Sequence, residues 1–180
     1  MEHHIKYDLY RYKGESSIRK GFKSEGFKFT YYFRKAASKK RFSISGIYYR
    51  YVLKKLRYKY GIQIPIKTKI GHGLYLGHFG MIVINEKAVI GNNCNLSHSI
   101  TIGQTNRGKR KGSPIIGNEV WIGTGTVIAG NIKIGNNVLI APNSFVNSDV
   151  PENSLVIGNP AQIIAKENPT EDYINYILKG

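Results

Sequence analysis

The chain of 180 residues is poor in cysteine, in acidic residues and in long apolar runs. Its single cysteine, Cys94, excludes a disulfide framework. The first ten residues, MEHHIKYDLY, lack the apolar core of a signal peptide, and no later stretch is apolar for long enough to span a bilayer. We therefore expect a cytoplasmic protein. Eleven Asp and Glu against 27 Lys and Arg leave a formal charge of +16, which favours anionic partners.

The positive charge is concentrated in residues 1–61. This segment holds 17 of the 27 Lys and Arg, 4 of the 11 acids and 10 of the 13 tyrosines. Its composition and glycine spacing predict a basic, tyrosine-rich helical segment whose last helix ends at Gly61. Five apolar residues have the spacing of one buried face of that helix: Ile47, Tyr51, Leu53, Leu56 and Tyr60.

Several anionic partners suit this basic segment. The negatively charged inner leaflet of the membrane, a pyrophosphate-linked lipid and a sugar nucleotide all match its charge. The first of these would place the protein peripherally on the inner face of the membrane. Interleaved aromatic residues also suit single-stranded nucleic acid, but no RNA-binding signature is present, so we expect no nucleic acid. The structural alternative is a helical cap whose Lys and Arg stems cover the neighbouring domain.

An aliphatic residue recurs at every sixth position from Ile70 to Val146, usually followed by a small residue. The aliphatic positions are Ile70, Leu76, Ile82, Ile90, Leu96, Ile102, Ile116, Ile122, Ile128, Ile134, Ile140 and Val146. Three hexads make one triangular coil of about 18 residues whose sides are short strands, and successive coils stack as parallel strands. The period therefore predicts an all-β fold, a parallel β-helix of hexapeptide repeats that covers residues 62–165.

Two breaks interrupt the period. Between Ile82 and Ile90 the step is eight residues, which predicts a two-residue bulge at a corner, and between Ile102 and Ile116 it is fourteen. The longer break predicts a loop, residues 104–115, that projects from the β-helix. Four cations lie in it: Arg107, Lys109, Arg110 and Lys111. Their setting among Gly and Asn suits an anionic ligand better than it suits packing.

Three histidines occupy the third place of their hexads, where a side chain points outward. His72 and His78 are one hexad apart, so they lie on different faces. His78 and His98 are three hexads apart once the bulge is subtracted, which predicts that they lie side by side in adjacent coils. With an ordinary pKa of about 6.5, an outward histidine can accept a proton from a hydroxyl group. Zinc would need a third ligand nearby, so we expect no metal.

The segments GIQIPIKTKIGHGLYLGHFGMIVINEKAVIGNNCNLSHSITIG and WIGTGTVIAGNIKIGNNVLIAPNSFV, followed by VIGNPA, resemble the hexapeptide-repeat acyltransferases, most closely the serine acetyltransferase branch. The resemblance runs from about Gly61 to Ala165 and includes both breaks. It implies a left-handed parallel β-helix and a homotrimer with active sites in the grooves between neighbouring prisms. It also implies acetyl-CoA as the donor.

The resemblance assigns roles to individual residues. The general base of the family falls on His78. For His98 the residues leave two roles open, one in catalysis beside His78 and one as a hydrogen-bonding residue that lines the groove. The carboxylate that orients this base falls on Gln63, a neutral residue that can hold the ring but cannot balance the charge of an imidazolium. The pantetheine arm of CoA falls on Gly103, Gln104, Thr105, Thr124, Gly125, Ala141 and Pro142. The loop cations Arg107, Lys109, Arg110 and Lys111 are candidates for the phosphates of CoA, and the alternative is that the loop covers the acceptor.

The residues that the family uses around serine are replaced in this chain. An Arg-His pair falls on Gly112 and Ser113, and the aspartate before the base falls on Gly77. Free serine needs partners for both its ammonium and its carboxylate, and the remaining pattern looks like the acetyltransferases of capsule and exopolysaccharide assembly. We therefore expect acetyl transfer to a sugar hydroxyl of a glycan or sugar nucleotide in capsule, exopolysaccharide or lipopolysaccharide biosynthesis. Serine O-acetylation is the alternative, and a trimeric, non-enzymatic scaffold with a basic cap is a further one.

The last residues, 166–180, read as a short C-terminal helix or tail. Thr170 is placed to cap a helix that carries Glu171 and Asp172 in its first turn. We expect this helix to pack on the end of the prism.

Overall fold

In residues 2–178, which the computed structural model describes, four helices precede fifteen short strands. The helices are α1 (Glu2–Tyr10), α2 (Ile18–Gly21), α3 (Glu25–Ser38) and α4 (Ile44–Tyr60). The strands are β1 (Ile62–Gln63), β2 (Lys69–Ile70), β3 (Tyr75–Leu76), β4 (Ile82–Ile84), β5 (Val89–Ile90), β6 (Asn95–Leu96), β7 (Thr101–Gly103), β8 (Ile115–Ile116), β9 (Val120–Ile122), β10 (Val127–Ala129), β11 (Lys133–Ile134), β12 (Val138–Ile140), β13 (Phe145–Val146), β14 (Ser154–Ile157) and β15 (Gln162–Ala165).

The strands form three sheets that are the sides of a triangular prism. Sheet A has the order β1-β4-β7-β10-β13, sheet B the order β2-β5-β8-β11, and sheet C the order β3-β6-β9-β12-β14-β15. Consecutive coils pair in parallel, and among the strands of residues 2–178 only β15 runs antiparallel to its neighbour, at the end of sheet C. The prediction of a parallel β-helix preceded by helices is confirmed.

Aliphatic side chains fill the interior of the prism in ladders. In sheet A, Ile84, Ile102, Ile128 and Val146 lie on successive rungs and are at most 3% exposed. Burying this apolar surface drives the stacking of the coils, since no coil can cover its own stripe. Cys94 lies in the same interior, and burial raises the pKa of its thiol to about 12.

The register of the sheets places the shorter break in the period earlier in the chain than the sequence predicts. Leu76 pairs with Leu96, twenty residues on, whereas Val83 pairs with Thr101, eighteen residues on. The two extra residues therefore lie between Leu76 and Val83, and the prediction of a bulge between Ile82 and Ile90 is wrong. The hexad count failed because both Ile82 and Ile84 point inward and are buried, so either fits the period.

The longer break forms an ordered hairpin rather than an open loop. Thr105 and Gly112 exchange two backbone hydrogen bonds of 2.9 Å and close its base. Between them, Lys111 N donates to the carbonyl of Gly108 at 3.2 Å, which turns the chain back. Residues 106–111 at the tip are exposed. The cations of this hairpin are thus presented to solvent on a fixed base.

The helices cover the first coils of the prism. Ser43 precedes α4 and its hydroxyl accepts a hydrogen bond from Gly46 N at 3.1 Å, while Gly61 ends the helix with a left-handed φ of 64°. Leu53, Leu56 and Tyr60 are buried against the prism, as the spacing predicts. None of the helices in residues 2–178 is long and apolar enough to cross a membrane.

The predicted burial of Ile47 and Tyr51 is wrong, because both side chains are 57% exposed. They lie on the side of α4 opposite Leu53 and Tyr60, which face the core. The helix carries apolar residues on both sides, so its sequence does not identify the side that packs.

The predicted C-terminal helix is absent from the described part of the tail, which ends at residue 178. Residues 166–178 form turns, with positive φ at Asn168, Asp172 and Tyr176. The hydroxyl of Thr170 donates to Asn137 Oδ1 on the prism instead of capping a helix. The backbone carbonyls of Tyr173 and Asn175 accept from side chains of the main body. These tertiary contacts outweigh the local helix signal.

Candidate functional site

His78 and His98 lie side by side on the corner where sheet C turns into sheet A. Leu76 pairs with Leu96, so the histidines two residues later occupy equivalent places in adjacent coils. Their ring centroids are 5.6 Å apart and the rings meet edge to face at 85°. His78 is exposed, whereas His98 is half-buried and its buried Nδ1 has no hydrogen-bond partner among the described residues. An exposed imidazole supported by a second one can accept a proton from a hydroxyl group.

The two-residue bulge extends this corner directly after His78. Gly80 N donates to the carbonyl of Tyr60 at 2.8 Å, and the rings of Phe79 and Tyr60 are 5.9 Å apart. Met81 then returns the chain to sheet A with a φ of 53°. The C-terminal end of α4 thus supports the segment beside the candidate base. The sequence analysis did not find this contact with α4, because it predicted the bulge after Ile82 rather than directly after His78.

Four of the predicted donor-site residues continue the same corner. Gly125 N donates to the carbonyl of His98 at 3.4 Å, and Asn143 N donates to the carbonyl of Thr124 at 2.8 Å. Ala141 and Pro142 precede Asn143 in the next coil. The structure therefore brings Thr124, Gly125, Ala141 and Pro142 into line with the two histidines.

The remaining predicted donor-site residues lie on another corner. Gly103 ends β7, and Gln104 and Thr105 follow it where sheet A turns into sheet B. The hairpin with Arg107, Lys109, Arg110 and Lys111 projects from there. Arg110 lies 3.9 Å from Asp149, and the other three cations form no ion pair within the described residues. Sheet A separates the two corners, so one prism does not gather all the predicted residues at one place.

The residues that depart from the family pattern lie on sheet A and at the two corners that border it. Gln63 lies exposed on β1 beside Val83, and Gly77 directly precedes His78. Gly112 closes the base of the hairpin, and the hydroxyl of Ser113 donates to Asn85 Oδ1 at 3.1 Å. None of these positions offers a charged side chain to an acceptor.

His72 lies apart from the pair, as predicted, and is enclosed by helix α1. Its ring centroid is 4.4 Å from that of Tyr7 and 5.6 Å from that of His3. Burial lowers the pKa of His72, and likewise that of His4, below the usual range. The described residues contain no group of three or more His, Cys, Asp or Glu that could hold a metal ion.

Known proteins resemble this chain in sequence and in fold. The family description "Bacterial transferase hexapeptide (six repeats)" matches residues 113–148. The serine acetyltransferase of Helicobacter pylori is 38% identical over 111 residues, which are 62% of this chain and 65% of that protein. Among the first curated relatives that it matches, the chain spans less than two thirds of the full length, down to 28% for an Arabidopsis thaliana protein.

Two solved structures extend the similarity to the helices. The serine acetyltransferase of Neisseria gonorrhoeae in complex with serine has a TM-score of 0.73 and 30% identity, over 91% of this chain and 69% of that one. The serine acetyltransferase of Brucella abortus in complex with coenzyme A has a TM-score of 0.75 and 26% identity, over 92% of this chain and 68% of that one.

The prediction that a sugar hydroxyl is the acceptor is wrong. The relatives and solved structures described above are serine acetyltransferases, and none of them is an enzyme of capsule or exopolysaccharide assembly. The sequence argument failed because it treated the loss of the Arg-His pair at Gly112 and Ser113 as the loss of the amino-acid substrate. The absence of the Arg-His pair shows only that serine is not held by those two side chains. It does not identify another acceptor.

Proposed function

Because the chain belongs to the hexapeptide-repeat acyltransferases, we propose that it transfers the acetyl group of acetyl-CoA to the hydroxyl of serine. The observation that carries the proposal is the exposed His78, paired with His98 on a corner that continues into Thr124 and Gly125. Similarity to serine acetyltransferases solved with serine and with coenzyme A supports it.

In the proposed reaction His78 acts as the general base. It takes the proton of the serine hydroxyl as the oxygen attacks the thioester carbonyl of acetyl-CoA. A C–O bond forms and the carbonyl oxygen becomes an oxyanion, which backbone N–H groups of the corner stabilise. The intermediate collapses with loss of the CoA thiolate, and the imidazolium of His78 returns the proton to that sulfur. The products are O-acetylserine and CoA, and His78 is neutral again.

Neutral groups must hold the acceptor in this proposal. Gln63 replaces the orienting carboxylate, so it can hold the ring of His78 but cannot balance an imidazolium charge. Gly112 and Ser113 replace the Arg-His pair that the family uses around serine. We therefore expect weaker serine binding than in a site with the family's charged residues, because charge-assisted hydrogen bonds are roughly twice as strong as neutral ones.

We further propose that the active unit is a homotrimer. The histidine corner and the hairpin lie at opposite edges of sheet A, and stacking three prisms around one axis would bring the hairpin of one subunit to the histidine corner of the next. The cations Arg107, Lys109, Arg110 and Lys111 would then contact the phosphates of CoA bound in the groove.

A thiol-release assay with acetyl-CoA and L-serine tests the reaction. We expect serine-dependent release of CoA with a high KM for serine, and none with L-alanine, which lacks the hydroxyl group.

Replacing the four hairpin cations by glutamine should raise the KM for acetyl-CoA about tenfold or more, since each phosphate contact is charge-assisted. No turnover of serine at any concentration would contradict the proposed acceptor, and an unchanged KM for acetyl-CoA would separate the hairpin from the donor.

The outer side of α4 and the preceding turn suit an anionic membrane surface. Phe42 and Ile44 are 82% and 91% exposed, and Ile47 and Tyr51 continue the same side. Lys39, Lys40 and Arg41 lie next to them at the N-terminal end of the sequence segment, and Lys54 and Lys55 at its C-terminal end. Apolar and aromatic residues flanked by cations match the boundary between anionic headgroups and acyl chains. We propose that the protein docks there peripherally, on the cytoplasmic side.

Cosedimentation with lipid vesicles tests this docking. The protein should pellet with vesicles of phosphatidylserine and phosphatidylcholine, and much less with phosphatidylcholine alone or at raised salt. An Ile44→Ser/Ile47→Ser variant, which keeps every charge, should lose most of the binding. If this variant binds vesicles like the wild type, or if its only change is loss of self-association, the exposed side is not a membrane surface.

A further inference from the structure

A basic cleft of about 560 Å³ opens between α4 and strand β1. Arg50, Lys54 and Arg57 line it from the helix, and Gly61 and Gln63 from the chain that follows. We propose that this cleft binds a phosphate-bearing ligand through its three cations. It is separate from the hairpin and shares only Lys54 with the outer side of α4, and binding there does not depend on which acceptor reacts.

The three cations form one stripe along the helix. Residues 50, 54 and 57 are separated by four and three positions, which places them on the same side of an α-helix. Like charges at such spacing repel one another and destabilise an isolated helix. An anion with several negative charges would remove this repulsion.

No acidic side chain in this part of the chain neutralises the stripe. Between Glu25 and Glu86 the sequence contains thirteen Lys and Arg and no Asp or Glu. The ion pairs of the described residues do not include Arg50, Lys54 or Arg57. The cleft is therefore a concave surface with one sign of charge, a form that concentrates counter-ions.

Arg50 provides a second observation. Its Nη2 donates to the carbonyl of Lys39 at 3.4 Å, which holds the guanidinium in place. Its Nε is buried and has no hydrogen-bond partner among the described residues. Buried donors are nearly always paired in folded proteins, so this unpaired guanidinium N–H leaves hydrogen-bonding capacity beside the cleft that a bound anion would use. The planar guanidinium matches the paired oxygens of a phosphate group.

The charge of the cleft selects phosphate over the acceptor amino acid. Serine carries an ammonium as well as a carboxylate, and three cations without a carboxylate would repel that ammonium. A phosphate or pyrophosphate group carries only negative charge. Gly61 lies against the backbone of Gly80 and Met81, just after His78, so a ligand in the cleft would lie next to the histidine corner. Its phosphate could come from the donor CoA or from a free phosphate metabolite.

Calorimetric titration of the full chain with inorganic pyrophosphate tests the site. Lys54→Gln/Arg57→Gln should bind pyrophosphate at least about tenfold more weakly than the wild type, because two charge-assisted contacts are lost. The matched control is Lys55→Gln/Lys59→Gln, which removes the same charge from the same helix outside the cleft. It should change the affinity by less than about threefold, as screened surface charges do.

A parallel titration with CoA identifies the source of the phosphate. Loss of CoA affinity in the cleft variant would assign the site to the donor, and unchanged CoA affinity with lost pyrophosphate binding would assign it to a free phosphate metabolite. Either result supports the site. Equal weakening in the two double variants, or no saturable pyrophosphate binding by the wild type, would overturn it. These titrations measure binding rather than turnover, so their outcome does not depend on the outcome of the serine assay.

Discussion

Replacing His78 by alanine is expected to lower kcat for acetyl transfer to serine by about a hundredfold to ten-thousandfold, the range that a general base contributes. The imidazole is exposed, so the free energy of unfolding should change by less than about 0.5 kcal/mol. The affinity for CoA should be retained, because Thr124 and Gly125, which we propose to contact the CoA, keep their backbone positions. Steady-state kinetics, thermal unfolding and CoA titration of the same preparation measure all three.

His98→Ala is the matched control for this prediction. The ring centroid of His98 is 5.6 Å from that of His78, but His98 is half-buried whereas His78 is exposed. We expect a smaller loss of kcat, because the neighbour of the base changes while the base remains. If His78→Ala keeps more than about a tenth of the wild-type kcat, another group accepts the proton.

Mixed subunits extend the same test to the assembly. In a trimer with shared sites, His78 of one subunit works with the hairpin of the next. Mixing His78→Ala subunits with subunits whose hairpin cations are neutralised should therefore restore some activity, since some grooves would combine an intact histidine with an intact hairpin. Mixtures that stay as inactive as the separate variants would place both parts of the site within one chain.

The stacking of the coils could be predicted from the sequence because it depends on a simple periodic rule. Ladders such as Ile102, Ile128 and Val146 require an aliphatic residue at each rung, and the sequence shows that requirement directly. The same rule placed His78 beside His98 correctly. It could not locate the two extra residues, since Ile82 and Ile84 are equally buried and only strand pairing distinguishes them.

The helical segment was harder to predict because its packing is tertiary. Ile47 and Tyr51 have the same apolar character as Leu53 and Tyr60, and the contact of α4 with the first coil decides which side is covered. The tail shows the same effect, because Thr170 bonds to Asn137 on the prism rather than to its own backbone. Such contacts join residues far apart in the sequence and leave no local pattern.

A buried ion pair fastens the helices to the prism. Arg34 Nε donates to Asp8 Oδ2 at 2.9 Å, and Arg34 Nη1 donates to the carbonyl of Ile70 at 2.7 Å. Asp8 Oδ1 also accepts from Leu74 N at 2.9 Å. The side chains of Arg34 and Asp8 are 4% and 0% exposed. Helix α3, helix α1 and the first coil therefore meet at one buried, fully bonded pair, which no short-range motif indicates.

Arg34→Met should destabilise the protein by about 3–5 kcal/mol, because it leaves the carboxylate of Asp8 buried without its counter-ion. Lys35→Met is the matched control on the same helix. The partner of Lys35, Glu2, is 4.0 Å away and 95% exposed, so its loss should cost less than about 0.5 kcal/mol. Urea unfolding at fixed protein concentration measures both. Asp8→Leu/Arg34→Met removes both charges and should be more stable than Arg34→Met alone. If Arg34→Met unfolds at the same urea concentration as Lys35→Met, the pair does not fasten the helices, and the apolar contacts of α3 and α4 with the prism are sufficient.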